Sequence, residues 1–275
     1  MKWTKRALSD FYSHIPPALI VLIMLLSLVR LFHLEADFPS NITPCTVLYT
    51  DEGWYANNAL VYFLTGHWHV PHDINFAVSL PVLQLVYIPF FLLLGPTMLA
   101  VRLTVVVFFF FSLILMYKIL HLYVPTRPAL LGILFASANH YWFAYSRLAI
   151  GELPMGTFIL LSLWLLLCYV LRGKSWLYLV GASVAFTLAF FTKTSALFFL
   201  PGFLVILWVY RENRHTFFKQ SGIFAGLWLA GILLHFVLIA LPYYQDYLNF
   251  HAMNIGMELQ FSPAFLFDNF RYVLR

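Results

Sequence analysis

Residues 80–95 read LPVLQLVYIPFFLLLG, and whether they cross the membrane decides the topology of everything after them. The segment is apolar, but at about 16 residues it is shorter than the ~20 needed to span a hydrocarbon core. It also carries Pro81 and Pro89. By length it is either a short span or a helix lying in the interface. Clear apolar spans flank it, at roughly 15–34 on one side and at 98–120, 129–147, 154–171, 177–192, 194–210 and 222–242 on the other.

The chain is 62% hydrophobic and 10% charged, against roughly 25% charged residues in soluble domains. That leaves too little polar surface to cover a soluble globule. Each span must be helical so that its backbone groups are satisfied internally, and the expected fold class is an all-α polytopic transmembrane bundle. The formal net charge of +5 is spread thinly at helix ends, where it orients the protein, and implies no nucleic-acid partner. The basic N-terminus, MKWTKR, precedes an apolar run to about Leu34 with no small-residue cleavage site, so it reads as an uncleaved first span. Cys45 falls in a loop and Cys168 inside an apolar run, which argues against a disulfide between them. No repeat or low-complexity linker divides the chain. Residues 1–275 are therefore expected to form one membrane domain of about seven spans, with interfacial helices in a first outer loop at 35–97. Residues after Pro242 read as another outer loop, and the odd number of spans suggests the N-terminal part of a longer fold.

Charge decides the status of residues 80–95. With the N-terminus inside and 80–95 not crossing, Lys2, Lys5, Arg6, Lys118, Arg127, Arg172, Lys174, Arg211, Arg214 and Lys219 fall on the cytoplasmic side. Crossing would move the last five outside, against the positive-inside rule. The non-crossing model also gathers Asp51, Glu52, Arg147, Glu152 and Lys193 on the outer face, with Arg102 at a nearby helix end. From Leu31 to Val101 there is no Lys or Arg, only Glu35, Asp37, Asp51, Glu52 and Asp73.

These charges are the candidates for chemistry. Asp51-Glu52 precedes Gly53-Trp54-Tyr55 and fits either acids at a helix N-terminus or a carboxylate acting as general base or metal ligand at the membrane surface. Arg147 and Glu152 share a short turn between spans, where ionisable groups mark function or pair with one another. Lys193, flanked by apolar sequence, either snorkels to the interface or holds an anionic lipid phosphate. His67, His69 and His72, with Asp73, form a loose set that would suit a divalent transition metal, but its spacing is not that of a closed zinc site. Asn41-Ile42-Thr43 is a glycosylation sequon.

In order, these motifs resemble the membrane-embedded glycosyltransferases that use a polyprenyl-phosphate sugar, the GT-C fold, and in particular the protein O-mannosyltransferases and aminoarabinose transferases. The resemblance rests on Asp51, Glu52, Tyr55, Ala56, Ala59 and Gly66; then Leu80-Pro81-Val82-Leu83 and Leu94-Gly95; then Ala100-Val101-Arg102-Leu103; then Ser146, Arg147 and Glu152; and finally Thr192-Lys193-Thr194 with Pro201. It covers about residues 15–210. The family often has Lys-Pro-Pro-Leu where this chain has Ser79-Leu80-Pro81-Val82, so a lysine expected at the carrier phosphate is missing.

The resemblance implies inverting transfer of a sugar from an undecaprenyl or dolichyl phosphate to a lipid or protein acceptor. Asp51 is the implied general base, and Glu52 and Glu152 are the other implied catalytic carboxylates. Glu52 orients the acceptor or, with Glu152, holds a divalent cation. Arg147, Lys193 and Arg102 bind the carrier phosphate. The expected location is an integral membrane protein of a bacterial inner membrane, with its active site on the extracytoplasmic face and membrane lipids around it. A transporter using the same charges would place ionisable groups near mid-span, and none is evident there. A non-catalytic member of the family is the other alternative.

Overall fold

A computed structural model describes residues 5–35, 51–71, 73, 75–172 and 175–255, with side chains for 16–35, 52–71, 73, 75–172 and 175–250. Cys45 and the Asn41 sequon lie outside the described residues. The described chain is an all-α bundle.

Helix α1 (Lys5–Leu28) ends in a 3-10 turn, Val29–Leu31. Three helices then form a separate layer: α2 (Asp51–Thr65), the single turn α3 (Phe76–Ser79) and α4 (Pro81–Leu94). The bundle continues with α5 (Met98–Leu120), α6 (Thr126–Ala138), α7 (His140–Tyr145), α8 (Glu152–Leu171) and α9 (Trp176–Thr192). A 3-10 segment, Thr194–Phe199, leads into α10 (Leu200–Val209). Helix α11 (Arg214–His235) runs on through a π turn, Phe236–Ala240, and α12 (Tyr244–Ile255) follows.

Met98–Leu120, Glu152–Leu171 and Arg214–Ala240 are long and apolar enough to cross a membrane. Helix α5 lies against α8, α8 against α9 and α9 against α11, while α1 packs on α6 beside α5. Phe186, Phe203, Phe224, Leu166 and Leu207 fill the core between α8, α9, α10 and α11. Small polar groups join the helices. Ser112 Oγ and Thr157 Oγ1 are 2.7 Å apart, Ser162 Oγ donates to Ala182 O, and Ser183 Oγ donates to Phe224 O. In hydrocarbon such bonds supply specificity that hydrophobic contact alone does not.

At about 21 Å, α4 is too short for a ~30 Å hydrocarbon core. It buries Val82, Leu83, Tyr87 and Phe91 and packs between α2 and α5. Gly95 (φ 75) ends it in the left-handed region, where glycine carries no steric cost.

Several predicted spans differ from the structure: the helix expected at 15–34 begins at Lys5, and 194–210 opens as a 3-10 segment before α10. The span expected at 129–147 is broken at Asn139, whose extended backbone (φ −68, ψ 128) ends α6. Its side chain then accepts from Trp142 N at 3.1 Å and caps α7. The span expected to begin at 222 begins at Arg214, because Asn213 caps the helix by accepting from Thr216 N at 2.8 Å.

Candidate active site

Four helix ends meet at one end of the bundle: the C-terminal ends of α1 and α9 and the N-terminal ends of α5 and α8, with α2 and α4 laid across them. The link at the centre is Glu52, which is 2% exposed. Arg102, in the first turns of α5 and 3% exposed, grips it bidentately: Nε donates to Oε1 at 2.9 Å and Nη2 to Oε2 at 2.7 Å. The amide of Ala149 donates to the same Oε1 at 2.7 Å. Arg102 Nη1 donates to Leu34 O at 3.0 Å. Paired, planar geometry of this kind is what makes a buried charge tolerable. Both oxygens of Glu52 and all three nitrogens of the Arg102 guanidinium are therefore engaged within the protein.

Two further arginines bind neutral oxygens. Arg147 Nη1 donates to the carbonyls of Arg30 and Phe32, and Nη2 to that of His33, each at 2.7 Å. Burial, and then the charge of Arg102, hold the Arg147 guanidinium below the usual arginine range. Arg30 is fully buried and donates to Ser146 Oγ, Leu26 O and Ser137 O, each at 2.9 Å. Its guanidinium also lies 3.8 Å from the Phe109 ring centroid. Among the described residues, the bonds seen for these two cations are to neutral oxygens.

Glu152 opens α8 and pairs with Lys193, the residue that follows the last turn of α9. The pairing engages Glu152 Oε1. Glu152 Oε2 is screened from solvent and has no hydrogen-bond partner among the described residues. Gly151 lets this turn come close. A Cβ there would meet Leu83 Cδ1 at 3.2 Å and the Thr192 carbonyl at 3.3 Å.

The structure thus brings together Glu52, Arg102, Arg147, Glu152 and Lys193. Asp51 is the first residue of α2, and its side chain lies outside the described ones. The histidines are elsewhere. His67 is exposed beyond α2, His69 Nε2 lies 2.6 Å from Asp246 Oδ2, and His72 is outside the described residues. Among the described residues, no three His, Cys, Asp or Glu side chains converge as a metal site. With Glu52 already neutralised by Arg102, Glu52 and Glu152 do not form a fitting donor set for a divalent cation.

Several residues that sequence reading passed over build the layer carrying Asp51. Gln84 Nε2 donates to Tyr55 O and its Oε1 accepts from Ala59 N, so one α4 amide bonds two backbone groups a turn apart on α2. Asn58 Nδ2 donates to Trp68 O and Asn75 Oδ1, and Asn58 Oδ1 accepts from Ala77 N. A cavity of about 710 Å³ opens between Asn58 and Ala59 of α2, Gln84 and Ile88 of α4, and Leu238 and Tyr243 beyond α11. The available signal was the amides Asn58 and Asn75 on either side of the histidine-rich turn, and Gln84 within the apolar run that follows.

The family model of the dolichyl-phosphate-mannose-protein mannosyltransferases matches residues 79–242. No curated protein and no solved structure matches the chain.

Proposed function

Since the chain belongs to the dolichyl-phosphate-mannose-protein mannosyltransferase family, we propose that it moves a sugar from a polyprenyl phosphate to an acceptor hydroxyl at the extracytoplasmic face of the membrane. The observation that carries this reading is the convergence at one bundle end. There, two guanidinium groups bonded to neutral oxygens, a Lys193–Glu152 pair and the Asp51-bearing start of α2 are held together through Glu52 and Arg102.

In this reading Asp51 accepts the acceptor hydroxyl's proton as the acceptor oxygen bonds to the sugar's anomeric carbon. The bond from that carbon to the phosphate oxygen breaks, and its electron pair leaves with the lipid phosphate. Attack opposite the leaving group inverts the anomeric centre. Lys193 and Arg147 stabilise the phosphate as its charge grows. Glu152 holds Lys193 in place and offers its unpartnered oxygen to the acceptor or the sugar. Glu52 and Arg102 take positioning roles, because they neutralise one another.

The test is Asp51→Asn in membrane vesicles supplied with dolichyl-phosphate mannose, with release of dolichyl phosphate as the readout. The expected loss is at least about 100-fold, the low end for a positioned general base. Full activity in the folded variant would remove Asp51 from this role.

A further inference from the structure

Tyr87 is fully buried on the face of α4 that packs with Ala100, Val101 and Ala149. Phenylalanine would fill the same space. What the hydroxyl adds is a hydrogen bond, donated to Ala149 O at 3.1 Å. The other polar group of Ala149, its N–H, donates to Glu52 Oε1 at 2.7 Å. The N–H and C=O of one residue belong to two rigid peptide planes joined at its Cα, related only by two soft dihedrals. Holding both groups therefore fixes the backbone of Ala149, and with it the turn that runs from Arg147 to Glu152.

We propose that Tyr87 is a positioning residue that aims the Ala149 N–H at Glu52 and so sets where Glu52 stands relative to Glu152 and Lys193. Helix α4 then grips the site from two sides. Its Gln84 holds α2 at Tyr55 and Ala59, and its Tyr87 holds the turn that α2 must meet. The close approach at Gly151, where Leu83 of α4 and the Thr192 carbonyl both crowd the turn, lets this single hydroxyl reach the backbone. The catalytic meaning of the placement rests on the proposed function, but the placement itself does not.

Tyr87→Phe tests the assignment in the detergent-purified chain, with amide hydrogen exchange read segment by segment. Exchange should rise about tenfold in 147–152 and 51–56 and stay unchanged in 179–191, since about 1.4 kcal/mol of lost local restraint is a factor of ten. With dolichyl-phosphate mannose as donor, kcat should fall about tenfold at constant donor KM, the signature of a group misplaced for the chemical step only. Phe91→Leu, one turn along the same face of α4, controls for lost packing. It should lower thermal stability without either local effect. Unchanged exchange in 147–152, a uniform rise along the whole chain, the same local effects from Phe91→Leu, or an unchanged kcat in the active protein would each overturn the assignment. Failure of the wild type to use the donor would count against the proposed function, and the exchange measurement would still decide the role of Tyr87.

Discussion

Arg102→Met isolates the central link of the site. The substitution keeps a long apolar stem but removes the hydrogen bonds to Glu52, at 2.9 and 2.7 Å, and to Leu34 O at 3.0 Å. Glu52, 2% exposed in the wild type, then keeps the Ala149 amide as its one hydrogen-bond partner seen among the described residues. Removing one partner of a buried pair costs about 3–5 kcal/mol, because the other charge is left uncompensated. For a chain of this size that corresponds to a fall of roughly 10 °C in Tm. Removing both charges, in Arg102→Met with Glu52→Met, should restore stability to within about 1 kcal/mol of wild type, because no lone charge remains. The coupling between the two substitutions is then several kcal/mol, far above the level at which independent sites add. Thermal unfolding of the three variants in one detergent measures it. A single Arg102→Met variant within about 1 kcal/mol of wild type, or a double variant as unstable as the sum of the singles, would refute the reasoning.

Three further outcomes follow from the same geometry. Lys193→Met should change stability by no more than about 1 kcal/mol, since the Lys193 and Glu152 side chains are 29% and 39% exposed. Its release of dolichyl phosphate should fall about 100-fold, the scale for losing one donor at a developing anion. Gly231→Ala places a Cβ 2.7 Å from Thr187 Cγ2 and should cost about 1–3 kcal/mol as α11 is forced off α9; Thr187→Ser in the same chain should recover most of that loss of Tm. Asp246→Asn weakens the 2.6 Å contact with His69 that helps hold α12, and protease cleavage at 241–243 should quicken roughly fivefold with Tm unchanged.

The helices were legible where length and hydropathy decide the matter. The run read at 98–120 is helix Met98–Leu120, and the short proline-bearing segment is a 14-residue helix buried against its neighbours. The break at Asn139 was not legible, because a single capping amide does little to the hydropathy of a window that stays apolar on both sides. In the site, charge bookkeeping grouped Glu152 with Glu52 at one end, and the Ala149–Glu52 bond joins the turn before Glu152 to Glu52. What bookkeeping cannot give is pairing. Arg102 reads as a free cation near a helix end until its fork is seen closed on Glu52. Arg30 reads as a flank of α1 until three neutral oxygens are found around it. Tyr87 carries no sequence signal at all, since a tyrosine in an apolar run is ordinary and only its hydroxyl partner distinguishes it.

The fastening of α1 differs in kind from the rest of the site. Glu52–Arg102 and Glu152–Lys193 each join a cation to a carboxylate. The α1 end is tied instead by Arg147 and Arg30 to carbonyl and hydroxyl oxygens. Those acceptors carry no charge, so these bonds hold without a carboxylate. Glu52→Gln should therefore loosen α2 from α5 while the first helix stays moored to the turn before Glu152.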